Sequence, residues 1–151
     1  MEVFRLVRSK YKDDFSGKGA YLYGGRWNSP GVYALYAASH ISLSVLEIVV
    51  NLDREILHYM PSYHLLVMEV PDTLVYPFKH TALEEGWKED MDLTRFIGDG
   101  FLHTQSNLGM EIPSAVIPEE SNYLINPLHE EFSKVRMVRS VVFGFDERLL
   151  G

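Results

Sequence analysis

Between Ser39 and Asn51 the chain carries one charged side chain, Glu47, in a run that is otherwise mostly apolar. On a helix turning about 100° per residue, Leu43, Leu46 and Val50 share one face while Ile41, Val45, Ile48 and Leu52 cover the opposite one. A helix apolar nearly all round belongs inside a protein, so HISLSVLEIVVNL predicts a buried helix, with Ser39 placed to cap its start. Glu47 falls among Leu43, Leu46 and Val50. An unpaired buried carboxylate is costly, so it needs either a structural partner, for instance Arg5, or a functional purpose. Periodicity alone leaves these two readings level.

A chain of 151 residues, 46% hydrophobic and 13% aromatic, is long enough for one compact domain with a real core and short for two, so residues 1–151 are expected to form one domain. The formal charge of -7, with 21 acidic against 14 basic residues, provides no basic stripe to neutralise phosphates along a duplex, and direct nucleic-acid binding is not expected. With no cysteine there is no disulfide, thiolate nucleophile or cysteine-based metal site, and a reducing cytoplasm suits the chain. The start, MEVFRLVRSK, lacks the apolar core of a signal peptide, and no apolar run approaches the roughly 20 residues that span a bilayer. A soluble, unprocessed cytoplasmic protein without membrane contact is the expectation.

Val3 to Val7 reads as a first strand containing Arg5, followed by a polar loop from Ser9 to Lys18. Next comes GAYLYGGRWNSPG, where four of the 11 glycines and a proline surround Arg26 and Trp27 in what reads as a ligand-approaching loop. Tyr33 to Ala37 predicts a short strand before the apolar helix. Tyr63 to Val70 and Thr73 to Tyr76 predict a hairpin turning at Pro71 and Asp72. A short helix is expected over Met91 to Ile97, ended by a turn at Gly98, Asp99 and Gly100. Leu108 to Ile117 reads as a strand interrupted at Pro113, PEESNYLINPLHEEF as a loop, and VRMVRSVVFGFDERLL as one or two closing strands. Helices and strands are mixed without regular alternation, which favours α+β.

The chain has no GxxxxGK[ST], GxGxxG, HExxH or GxSxG motif. Its histidines, His40, His58, His64, His80, His103 and His129, show no helical metal spacing beside a carboxylate, so no metal site is expected. Arg26 in GGRWN reads either as a guanidinium fork for phosphate or carboxylate or as a solvated turn arginine. Tyr36 is a candidate for stacking on a flat ring, though a tyrosine in an apolar strand more often serves the core. Ser114 after Pro113 has no nearby base, and Asn126 is most simply a turn former. An arginine, an aromatic ring, a lone acid and a hydroxyl, without a histidine base or metal, suit cleavage through an oxocarbenium-like centre with a good leaving group.

The stretches FRLVRSKY, GKGAYLYGGRWNSPGVYALYAASHISLSVLEIVVNL, EIPSAVIPEESNYLINPLHEEF and FDERLL together resemble the RES domain family, named for an arginine, a glutamate and a serine. The resemblance covers nearly the whole chain. It implies a compact α+β fold similar to the ADP-ribosyltransferases, with curved mixed or antiparallel sheets and flanking helices around a cleft for nicotinamide adenine dinucleotide (NAD). The family's named residues fall on Arg26, Glu47 and Ser114, and a family tyrosine falls on Tyr36. By resemblance Arg26 grips the NAD phosphates, Tyr36 stacks on nicotinamide, Glu47 holds the nicotinamide ribose and stabilises its cation, and Ser114 completes the pocket, with Arg5 and Asn28 assisting. NAD is then a substrate and no metal takes part. The implied role is the toxin of a type II toxin–antitoxin pair, whose antitoxin has a helix-turn-helix-like, Xre-type region and blocks the cleft. The acceptor of ADP-ribose is left open among water, inorganic phosphate and a protein target, with a mild tilt toward NAD degradation. A catalytically silent NAD-binding module acting through its antitoxin is the alternative outside enzymes, and a homodimer or hetero-oligomer with the antitoxin is left open.

Overall fold

A computed structural model describes residues 1–53, 55, 59–78 and 80–151. Seven strands form one sheet: β1 (Glu2–Arg8), β2 (Leu35–Ala38), β3 (Tyr63–Glu69), β4 (Val75–Pro77), β5 (Gly109–Pro113), β6 (Ser121–Ile125) and β7 (Arg136–Phe143). Their order across the sheet is β4-β5-β6-β2-β1-β3-β7, antiparallel throughout except for the parallel pair β4–β5. Among the described residues three α-helices accompany it: α1 (Lys18–Tyr23), α2 (Ile41–Val49) and α3 (Met91–Thr104). This is the α+β class expected from the mixed element order.

Apolar residues on both faces explain why the central strands stay in place. Leu124 packs with Trp27, Met110, Ile112 and Leu102 of α3, while the next residue, Ile125, packs with Val3, Leu35, Met68 and Leu108. The second cluster unites Met68 of β3 with Leu108 beside β5, although four strand spacings separate β3 from β5. In a flat sheet that span is about 19 Å, so the sheet curls around this cluster. Leu6, Val45, Tyr63, Leu65 and Val67 form a third cluster, in which α2 lies against β1 and β3.

The sequence-based boundaries of β1, β2 and β3 match within about two residues, as is usual for element ends. Other expectations are corrected. Val75–Pro77 does not form a hairpin with β3, because both edges of β3 are occupied, one by β1 and the other by β7; it joins β5 at the far edge instead. Residues 18–23, expected as loop, form α1, which begins after Gly17 at φ 76° and stops at Gly24 at φ 70°. The supposed turn at Gly98 is helix interior: α3 continues to Thr104 and ends at Gln105, φ 52°. Gly98 lies so close to Trp27 that a Cβ there would stand 1.7 Å from the Trp27 carbonyl oxygen, so the glycine lets helix and loop touch. The tract expected as a loop from Pro118 contains β6, which is central in the sheet.

The apolar helix is shorter and less buried than its periodicity predicts. Leu43, Ser44 and Val45 are buried, Glu47 is half-buried and Val50 is 55% exposed, because only one side of α2 meets the sheet and another borders a cavity. His40, not Ser39, occupies the N-cap position, and the Ser39 hydroxyl is bonded to His40 Nδ1. At the other end Asn51 Nδ2 donates to the Glu47 carbonyl at 2.9 Å, meeting an orphan carbonyl of the last turn. Among the described residues no helix is long and apolar enough to cross a membrane.

Candidate functional site

A cavity of about 480 Å3 opens between α2, the start of α3, the glycine-rich loop and the sheet. Arg5, Arg26, Tyr36 and Glu47 line it, so four of the residues singled out from sequence, drawn from β1, a loop, β2 and α2, come together. Ser114 and Asn28 are fully buried and stand behind its wall.

Glu47 is held from outside its own helix. Ser114 Oγ donates to Glu47 Oε1 at 2.8 Å and Asn122 Nδ2 donates to the same oxygen at 2.6 Å. No ion pair joins Glu47 to Arg5 among the described residues; Arg5 Nη1 donates instead to the Tyr36 carbonyl at 2.8 Å. The acid is therefore fixed by neutral donors, with no ion-pair partner among the described residues.

Pro113 ends β5 because it has no N–H to continue the ladder, and the chain turns over residues 114–120 into β6. Ser114 Oγ anchors that turn by accepting the Val116 and Ile117 amides, each at 3.0 Å. With its proton given to Glu47 and two amides on its lone pairs, this hydroxyl positions the acid and offers no free lone pair for attack. The following strand delivers Asn122 opposite Ile112 on β5 and Ala38 on β2. Asn122 also lines the cavity. Sequence reasoning passed over it because SNYLIN looked like loop; its place in the polar tract after Ser114 was the available signal.

The tyrosine is fixed just as firmly. Tyr36 Oη donates to Asn28 Oδ1 at 2.7 Å and accepts the Trp27 amide at 3.0 Å. Burial pushes its pKa above the ordinary tyrosine value, with Trp27 N–H pulling the other way, so the phenol stays protonated at neutral pH. Asn28 Nδ2 meanwhile donates to the Ala20, Ser29 and Val32 carbonyls. Its amide is used up inside the loop, and its influence on the cavity passes through Tyr36.

Arg26 Nη1 donates to the Lys88 carbonyl at 2.5 Å, and the Arg26 carbonyl accepts from Thr94 Oγ1 at 2.5 Å. Arg95 Nε donates to the Gly25 carbonyl at 2.9 Å, while Asp99 accepts both the amide and the hydroxyl of Ser29. The glycine-rich loop is thus clasped to α3 along one side. None of Thr94, Arg95 and Asp99 stands out in the sequence, because the loop groups they hold lie about 70 positions away.

Arg5 lies on β1 with its Nε buried and, among the described residues, without a hydrogen-bond partner. Burial pushes the guanidinium pKa below the usual arginine value, and Asp14 offsets this in part. Asn126 is buried, donating to the Leu102 carbonyl and accepting the Leu128 amide, which suits its expected role at a turn. His58 lies outside the described residues; among those described, no group of three or more histidines, aspartates and glutamates is arranged to hold a metal ion.

Comparison with known proteins places the chain in a family. The model of the RES domain matches residues 2–146. The protein "Toxin Res" of Photorhabdus laumondii subsp. laumondii is 36% identical over 155 aligned positions, covering 99% of this chain and 97% of its own. "Prs ADP-ribosylating toxin" of Sphingobium sp. is 32% identical over 149 positions, covering 95% of this chain and 91% of its own. Among solved structures, the M. tuberculosis MbcT–MbcA toxin–antitoxin complex contains a chain that superposes with a TM-score of 0.76 at 20% identity, over 94% of this chain and 83% of that one, and so shares the fold. With a family model spanning almost every residue and relatives aligned over nearly their full lengths, the chain belongs to the RES domain family.

Proposed function

We propose that this protein is the toxin of a toxin–antitoxin pair and that its cavity binds NAD and breaks the bond between nicotinamide and ribose. The observation that carries the reading is Glu47, a carboxylate oriented by Ser114 and Asn122 at the wall of a cavity that Arg5 and Arg26 also line. The relatives named "Toxin Res" and "Prs ADP-ribosylating toxin" support both the toxin role and the use of an ADP-ribose donor.

Nicotinamide in NAD is a cationic leaving group. When its bond to the ribose C1′ breaks, the bonding pair stays with nicotinamide, which leaves neutral, and positive charge appears on the ribose as an oxocarbenium-like centre. A fixed carboxylate beside that centre stabilises the charge as it develops, without reorganising during the step. The acceptor then forms the new C–O bond and gives up its proton. Tyr36 presents a ring locked by two hydrogen bonds, suited to stacking on the nicotinamide, and Arg26 offers a cation to the phosphates. Water or inorganic phosphate as acceptor makes the enzyme an NAD glycohydrolase or phosphorylase. An antitoxin that covers the cleft fits the toxin reading and accords with the fold neighbour having been solved as a toxin–antitoxin complex.

Mass spectrometry of NAD incubated with the antitoxin-free protein tests the proposal. Nicotinamide release is expected, with ADP-ribose or its phosphorylated form as co-product according to the presence of phosphate. Glu47→Gln is expected to remove turnover while the protein still folds; full activity in that variant overturns the role of Glu47. The Sphingobium relative supports a second reading, transfer of ADP-ribose to a cellular protein, which predicts label from NAD on a macromolecule.

A further inference from the structure

A second cavity, of about 580 Å3, adjoins the first. The two share Arg5, Leu6, Gly24, Gly25, Tyr36 and Ile48, so Gly24, Gly25 and Arg5 are among the residues that mark their junction. The first cavity holds Glu47; the second is rimmed by Tyr11 and Tyr23, which are 50% and 80% exposed. A ligand occupying both has two lobes joined across the glycines.

Arg95 stands at that junction. Its Nε is tied to the Gly25 carbonyl, and its Nη2 lies 2.9 Å from where a Cβ would stand on Gly24. Gly24, at φ 70°, and Gly25, whose Cβ would stand 2.7 Å from Tyr36 Oη, leave no room for larger residues. The tie to Gly25 uses one of five guanidinium N–H groups; among the described residues no carboxylate pairs with Arg95, although it lines the first cavity. The charged residues lining that cavity are Arg5, Arg26, Arg95 and Glu47, a cationic balance in a chain of net charge -7. A cleft opposite in sign to its protein attracts an anion.

We infer that Arg95 is a substrate-binding residue that grips the diphosphate linking the two halves of a dinucleotide where it crosses Gly24 and Gly25. A diphosphate is the anion found midway along a two-lobed nucleotide, and a planar guanidinium held at Nε presents its remaining N–H groups as a fork to phosphate oxygens. The inference rests on the proposal that the cleft takes NAD, and it adds a residue from α3 to the groups that hold it.

Calorimetry with ADP-ribose, which keeps the diphosphate and needs no turnover, tests the role. Arg95→Gln is expected to weaken ADP-ribose binding about 10- to 100-fold while leaving affinity for nicotinamide riboside, which lacks phosphate, within about twofold. Arg95→Lys, which keeps the charge without the fork, is expected to fall between, and the salt dependence of ADP-ribose binding is expected to flatten in Arg95→Gln. Equal weakening of both ligands means that Arg95 only supports the Gly25 loop, and it overturns the inference. So does unchanged ADP-ribose affinity, or a wild-type protein that does not bind ADP-ribose. Nicotinamide release by the wild type is measured separately, so a protein that binds ADP-ribose through Arg95 without consuming NAD refutes the proposed reaction and leaves the binding role standing.

Discussion

Ser114 Oγ donates to Glu47 Oε1 while accepting two amides of its own turn, so one hydroxyl links the end of β5 to the acid of α2. Ser114→Ala removes a bond to a charged acceptor and strands the Val116 and Ile117 amides. A loss of about 1–3 kcal/mol in stability is expected, with nicotinamide release reduced about 10- to 100-fold and not abolished. Thermal melts and a release assay check both. Residual turnover is the discriminating result, because a serine acting as nucleophile would leave none.

Asn122 is the second donor to the same carboxylate oxygen. Asn122→Ala removes one hydrogen bond; Asn122→Asp places a like charge against Glu47 and raises the pKa of the pair. Asn122→Asp is therefore expected to be the less active variant at pH 8 and to regain activity relative to Asn122→Ala as the pH is lowered. A pH–rate profile of the two variants decides it, and parallel profiles would show that charge at this position is immaterial.

The Tyr36 phenol has a raised pKa, chiefly through burial. Below pH about 10 it is protonated in both folded and unfolded chains. Above that pH the unfolded chain loses the proton first and binds fewer protons than the folded one, so stability falls as pH rises further. Wild type is expected to lose stability progressively above pH 10, and Tyr36→Phe to show a shallower decline from a start about 1–3 kcal/mol lower, since Asn28 Oδ1 and the Trp27 amide lose their partner. Chemical denaturation from pH 7 to pH 11 measures both slopes.

Gly98 separates α3 from the Trp27 backbone by less than a methyl group needs. In an exposed helix, Gly→Ala stabilises by about 1 kcal/mol; at Gly98 the clash is expected to reverse the sign and cost about 1–3 kcal/mol or more. Gly100→Ala, where a Cβ meets nothing within 4 Å, is the control and is expected to be neutral or stabilising. The pair of melting temperatures reads the difference directly.

Local setting singled out an acid in an apolar helix and an arginine among glycines, and left their roles open; the family resemblance added Ser114 to them, and the structure brings Glu47 and Arg26 to one cavity with Ser114 bonded to Glu47. Sequence also made β1, β2 and β3 legible, where apolar residues run in short, bounded stretches. It failed where tertiary partners overrule local pattern. β6 was hidden because SNYLI is short and flanked by polar residues, yet central placement buries Leu124 and Ile125 on opposite faces. The continuation of α3 through Gly98 was hidden because glycine there serves a contact with Trp27, not a turn. The clasp of Thr94, Arg95 and Asp99 on the glycine-rich loop depends on partners about 70 positions away that no local pattern names.

Ser114 and Asn122 follow Glu47 by 67 and 75 positions, and β6 inserts between β5 and β2. During synthesis, then, the acid emerges from the ribosome well before the groups that orient it, and a nascent chain stopped short of β6 lacks both the middle of its sheet and the donor Asn122. Such a product holds its Glu47 without the Asn122 donor of the complete chain. The order of the strands thus makes the fixing of this carboxylate one of the last events in building the sheet.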